Sequence, residues 1–171
     1  MRLLKGFILA LAGLFIMVTL LSLLIPSTVV VTRGVMINGH TEELIKQIND
    51  LHNWKHWQPV IKADSAKMNF ADNTGTTCEW ESNGRKNKMT ITEKLPNQVT
   101  VLISRPGEND ITNVIRILPL KDSNQVQVEW RAISKLKWYP WEKFYGIFIE
   151  KITGAGYEES LNSLKAYAEG H

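Results

Sequence analysis

His52 and His56 stand four residues apart, a spacing that puts both rings on one face of a helix and can present two nitrogens to a metal. No third ligand accompanies them at useful spacing and they flank Trp54, so solvated surface histidines are the better reading. The single cysteine, Cys78, can form neither an internal disulfide nor a metal site by itself. It alternates with Glu79 and sits beside Trp80 in the pattern, on the side that should face inward. A reactive thiol needs an electropositive, partly open setting, so a core or cavity-wall thiol is expected there. Glu79, Glu81 and Glu129 fall on the outward side by the same alternation, as does Arg116 between Ile115 and Ile117. No nucleophile elbow, phosphate loop or zincin motif occurs. The sequence therefore nominates no catalytic residue, no metal ligand and no cofactor.

The six tryptophans offer a different chemistry, that of an apolar wall. Trp54 and Trp57 end a stretch of short helices, Trp80 and Trp130 take inward strand positions, and Trp138 and Trp141 open the last helical section. For any one of them ordinary core packing is the default. Large aromatics where short helices meet a curved sheet would also line a pocket for a flat or lipid-like molecule. The expected lining is Trp54, Trp57, Trp80, Met89, Ile91, Trp130, Trp141, Phe144, Phe148, Tyr157 and Leu161. Residues 135–145 (KLKWYPWEKFY) mix aromatics with lysine, and a cavity entrance is preferred there to membrane contact.

These residues must be held by elements that the hydropathy pattern makes legible. Residues 28–37 are rich in β-branched side chains and read as a first strand. Glu42 and Glu43 mark a helix N-terminus, followed by the apolar face of Leu44, Ile45, Ile48 and Leu51. Pro59 is expected to close that helical stretch. Six strands follow, at residues 67–70, 76–82, 86–93, 98–104, 113–120 and 125–134. Turns separate them at 72–75, 82–84, 96–97, 106–107 and 122–124. Val126, Val128, Trp130 and Ala132 alternate with Gln125, Gln127, Glu129 and Arg131, so one face of the sheet is wet and one buried. Helical spacing returns at Trp141, Phe144, Phe148 and Ile152, with Gly154 and Gly156 as interruptions, then at Tyr157, Leu161, Leu164 and Ala168.

Ahead of all this, residues 7–25 run for 19 positions without a charge. As a helix the run spans roughly 28 Å, close to a bilayer's hydrocarbon thickness. It is longer than a signal peptide's apolar region, and Ile25-Pro26-Ser27 is a poor cleavage triplet, so an uncleaved single-pass anchor is expected. Arg2 and Lys5 precede the run and only Arg33 follows closely. That bias puts the N-terminus in the cytoplasm and the domain on the far, periplasmic or extracellular, side. The same two residues account for most of the +3 net charge: without them 18 basic residues face 17 acidic ones. A pI of about 9.0 is thus no footprint for nucleic acid. With 44% hydrophobic and 22% charged residues the remainder is foldable rather than disordered. The expected division is 1–26 anchor and 27–171 α+β domain, a curved antiparallel sheet gripping a long C-terminal helix.

This order, together with residues 35–39 (VMING), 48–59 (INDLHNWKHWQP), 140–146 (PWEKFYG) and 156–165 (GYEESLNSLK), resembles the START/Bet v 1-like superfamily. Within it the chain is similar to the polyketide cyclase/dehydrase-type group known as SRPBCC, and to a membrane-anchored subgroup of it, over residues 26–169. It departs from the family at Gly39-His40-Thr41, where small residues or proline usually open the first helix. The family's catalytic polar constellations are not recognisable. The resemblance implies a helix-grip domain with an apolar cavity. The expected function is binding of a hydrophobic small molecule or lipid. The alternatives are a cyclase, hydratase or lyase on an apolar substrate, or an interaction module with a vestigial cavity. Nothing in the sequence identifies a protein partner.

Overall fold

Alternating burial along each strand and turn chemistry between strands build one seven-stranded antiparallel sheet, seen in a computed structural model that describes residues 2–64, 67–70, 73–82, 84–121 and 123–170. Its strands are β1 (Thr28–Asn38), β2 (Asn69–Phe70), β3 (Thr77–Ser82), β4 (Arg85–Leu95), β5 (Gln98–Ser104), β6 (Ile111–Pro119) and β7 (Gln125–Lys135), in the order β1-β7-β6-β5-β4-β3-β2. These match the expected strands to within two residues at each end. Asp72, Asn83 and Asp122 of the expected turns lie outside the described residues. The inward set of β7, Val126, Val128, Trp130 and Ala132, is buried as its alternation requires. A register shift between Ile91 and Glu93 in β4 marks a bulge, a device that bends a sheet.

The helices are α1 (Arg2–Ser22), α2 (Thr41–Ile48), α3 (Leu51–Trp57), α4 (Pro59–Asp64) and α5 (Pro140–Glu169). Asp50 caps α3, its carboxylate accepting from the His52 amide at 2.8 Å. Pro59 does not end the helical stretch: Gln58 breaks it and Pro59 opens α4. The first position of a helix has no intrahelical use for the missing N–H. Nor do Gly154 and Gly156 interrupt the last helix, which is continuous for 30 residues.

Two glycines seat α5 against the sheet edge. A Cβ on Gly146 would run into Leu136 and approach Val29, and one on Gly154 would run into the Arg33 guanidinium. Both let the helix lie close along β1, and both ends are tied there. Near the start, buried Lys143 donates from Nζ to the Ile25 carbonyl at 3.0 Å and the Ser27 hydroxyl at 2.5 Å. Near the finish, Glu169 accepts from the Asn38 backbone and side-chain nitrogens at 2.8 Å each.

Residues 3–22 of α1 form a helix long and apolar enough to cross a membrane. It ends at Ser22, short of the expected Ile25. Residues 23–25 wind on in tight turns bonded to carbonyls of the last helical turns.

Candidate functional site

The sheet's inner face meets α5 differently at its two ends. Where α2 and α3 cover it, Trp54, Trp57 and Trp130 pack ring on ring, with centroids 4.9 Å, 5.8 Å and 6.2 Å apart, and all three are buried. Tyr157 closes on Trp130 at 5.4 Å. The Trp54 indole donates to the Ile48 carbonyl at 3.1 Å, and Trp130 donates to Asn113 at 3.0 Å inside the sheet. The buried Trp57 indole nitrogen has no acceptor among the described residues. Side chains fill the space around these rings, and a depression of about 420 Å³ lies outside them between α2 and the end of α5, lined by His40, Glu43, Gln47 and Tyr167.

At the other end, where β1 begins and β7 finishes, the inward residues shrink. After Trp130, the next inward positions of β7 are Ala132 and Ser134, facing Val29 and Val31 of β1. A cleft of about 390 Å³ remains between them, α5 and the loop between β5 and β6. The helix contributes Glu142, Tyr145, Ile149, Thr153 and Tyr157, a stripe at spacings of three and four.

That stripe is the expected one displaced by a single residue, about 100° around the helix. Trp141, Phe144, Phe148 and Ile152, expected inside, are exposed, Trp141 at 63% and Phe148 at 57%. The rotation follows from the seating on β1: with Lys143, Gly146 and Gly154 turned to the strand, the neighbouring sector faces the cleft and the apolar stripe faces out. Of the other expected lining residues, Tyr157 reaches the cleft, while Met89, Ile91 and Leu161 are buried in the core. Trp80 is buried and borders a separate depression of about 430 Å³ with Val60 and Arg85. Ala132 and Ser134, the small residues that open the cleft, were detectable only as small side chains at inward positions of β7.

The polar groups of the cleft are mostly engaged with one another. Glu142 accepts from the Asn109 side chain at 3.0 Å and the Lys137 amide at 2.6 Å, latching the β5–β6 loop to the first turn of α5. Glu108 pairs with Arg85 at 3.2 Å and Arg105 at 3.6 Å. Thr153 donates to the Ile149 carbonyl at 2.8 Å. Burial raises the Tyr157 phenol above its ordinary pKa, with Arg105 opposing, so at neutral pH it is a hydrogen-bond donor. The half-open cleft can thus receive an apolar body and offer hydrogen bonds at its wall.

The other candidates lie elsewhere. Burial, assisted by the Glu79 charge, pushes the Cys78 thiol up to about 11, which keeps it protonated in the core. His52 contacts Asp50 at 2.8 Å and stacks on Phe70, and His56 stacks on Tyr167. Among the described residues no three His, Cys, Asp or Glu side chains converge on a possible metal position.

The sequence matches no protein-family model and no curated protein. Similar architectures occur among solved structures. Truncated norcoclaurine synthase from Thalictrum flavum superimposes with a TM-score of 0.65 at 11% identity, over 84% of this chain and 95% of that one. A START superfamily protein from Mycobacterium smegmatis gives 0.60 at 14%, over 83% and 98%. StfQ, a di-domain ARO/CYC of the steffimycin biosynthetic pathway, gives 0.62 at 10%, over 84% of this chain and 51% of that one. At these identities the likeness is one of fold.

Proposed function

We propose that this chain, with its START/Bet v 1-like helix-grip fold, is a membrane-tethered module binding a hydrophobic small molecule or lipid. Residues 1–26 act as the anchor and 27–171 as the binding domain, in the manner of a membrane-anchored SRPBCC subgroup. The observation that carries the reading is the cleft of about 390 Å³ between α5 and the sheet, within the range of small-molecule sites. Its apolar floor of Val29, Val31, Ile111 and Ala132 suits a hydrocarbon or ring system, and Tyr157 suits one polar group upon it. The cleft's two carboxylates are already held, Glu108 by Arg85 and Glu142 by Asn109, which leaves the tyrosines as its proton donors. Binding is therefore favoured over a cyclase, hydratase or lyase reaction. The charge bias of Arg2 and Lys5 favours a cytoplasmic N-terminus and a domain on the far side.

The test is uptake of the fluorescent fatty acid cis-parinaric acid by the delipidated full chain, beside an Ala132→Trp variant that fills the cleft. Saturable binding by the natural chain, lost at least about tenfold in the variant, is expected. Equal uptake by both, or none by either, would sink the proposal. Native mass spectrometry after gentle extraction would add whether a copurifying ligand disappears in the variant.

A further inference from the structure

The outer surface of α5 changes character about a third of the way along. In its first ten residues every exposed side chain is aromatic or aliphatic: Trp141, Phe144, Tyr145, Ile147 and Phe148. From Glu150 onward the exposed positions are Glu150, Lys151, Ile152, Ala155, Gly156, Glu158, Glu159, Asn162, Ala166 and Glu169, so charge enters as soon as the ridge ends at Phe148. A soluble domain rarely leaves such a continuous apolar ridge in water. Core packing does not explain it, because the helix already buries its other sectors on β1 and over the cleft.

The position of the ridge supplies its occupant. Lys143, in the same two turns of helix, holds the Ile25 carbonyl and the Ser27 hydroxyl, the segment by which α1 joins the domain. Only five residues separate the end of α1 at Ser22 from the start of β1 at Thr28. The ridge is thereby fixed beside the point where the apolar helix leaves off. Its composition of tryptophan, tyrosine and phenylalanine with the flanking exposed Lys135 and Lys137 is that of the boundary between headgroups and acyl chains.

We infer that the start of α5, from Trp141 to Phe148 with exposed Trp138 before it, lies on the bilayer surface as a second membrane contact. The inference rests on α1 being the anchor. Tyr145 belongs both to this ridge and to the cleft wall, so the cleft opens toward the lipid and its ligand enters from there.

Spin labels on single cysteines, in a Cys78→Ala background of the full chain in nanodiscs of phosphatidylcholine and phosphatidylglycerol, test this. The labelled positions are Leu14→Cys, Trp141→Cys, Phe148→Cys and Glu158→Cys, each exposed in the native chain. Labels at 141 and 148 should collide with oxygen at least about threefold more than with a water-soluble nickel chelate, and the label at 158 should show the reverse. If position 14 reports hydrocarbon while 141 and 148 report water, the second contact is overturned and the anchor stands. If position 14 itself reports water, the anchor and the contact both fall. Dipolar broadening between labels at 148, without oxygen access, would assign the ridge to a second copy of the chain and overturn the inference.

Discussion

The two ends of the grip share one sheet face and one helix, yet between helix and sheet one is packed with rings and the other is open. At the closed end Trp54, Trp57 and Trp130 occupy the volume between helix and sheet. Two and four positions farther along the same strand, Ala132 and Ser134 leave it empty. Burial of side-chain volume dominates stability, so the closed end should carry the fold while the open end carries the ligand. A cavity in this architecture is therefore decided by side-chain size at a few inward positions rather than by strand order.

The comparison breaks most directly at Trp130. Trp130→Ala should lower stability by about 3–5 kcal/mol in denaturant unfolding, since it removes the hub of the ring cluster and leaves the Asn113 side-chain oxygen without its donor. A loss below about 1 kcal/mol would mean that the closed end does not dominate. Gly146→Val probes the other end, where the new side chain must displace Leu136 and Val29. A loss of about 1–3 kcal/mol is expected from overpacking, with the helix start pushed off β1, and a neutral result would refute the close seating of α5.

Within the closed end, Trp54→Phe and Trp57→Phe remove similar ring area, but only Trp54 has its indole hydrogen bond to Ile48. Trp54→Phe should be the worse by about 0.5–1.5 kcal/mol, and equal losses would assign Trp57 a partner too. The smallest effect is that of pH on Cys78. Its folded pKa lies near 11 against an ordinary 9.0, so below pH 9.0 the thiol is protonated in both states and stability is fully retained. As pH climbs from 9.0 toward 11 the unfolded chain ionises first and stability falls. A Cys78→Ala variant should lack that slope in pH-dependent unfolding, and identical slopes would contradict a buried neutral thiol.

Much of the fold was legible in the sequence because a sheet with one wet face prints its period directly. Val126 to Ala132 on β7, and Cys78 and Trp80 on β3, turned inward as their alternation demanded. The rotation of α5 was not legible. An apolar stripe such as Trp141, Phe144, Phe148 and Ile152 says that a face avoids water, and lipid satisfies that demand as well as a core does. What fixes the rotation is long-range: Gly146 against Leu136, Gly154 against Arg33, and Lys143 against Ile25. Pro59 misled for a local reason, since proline both ends helices and opens them. Large aromatics fill the interior beside α3, and the cleft opens where β7 carries Ala132 and Ser134.

The short joint between Ser22 and Thr28 has a consequence for how any ligand is found. On the proposed anchor the domain has almost no radius to sweep and can neither leave the surface nor turn over on a slack tether. Encounter with a molecule dissolved in the bilayer then becomes a search in a plane. Occupancy would follow the molecule's mole fraction among the lipids rather than its concentration in the buffer, and a released molecule would return to the leaflet that supplied it.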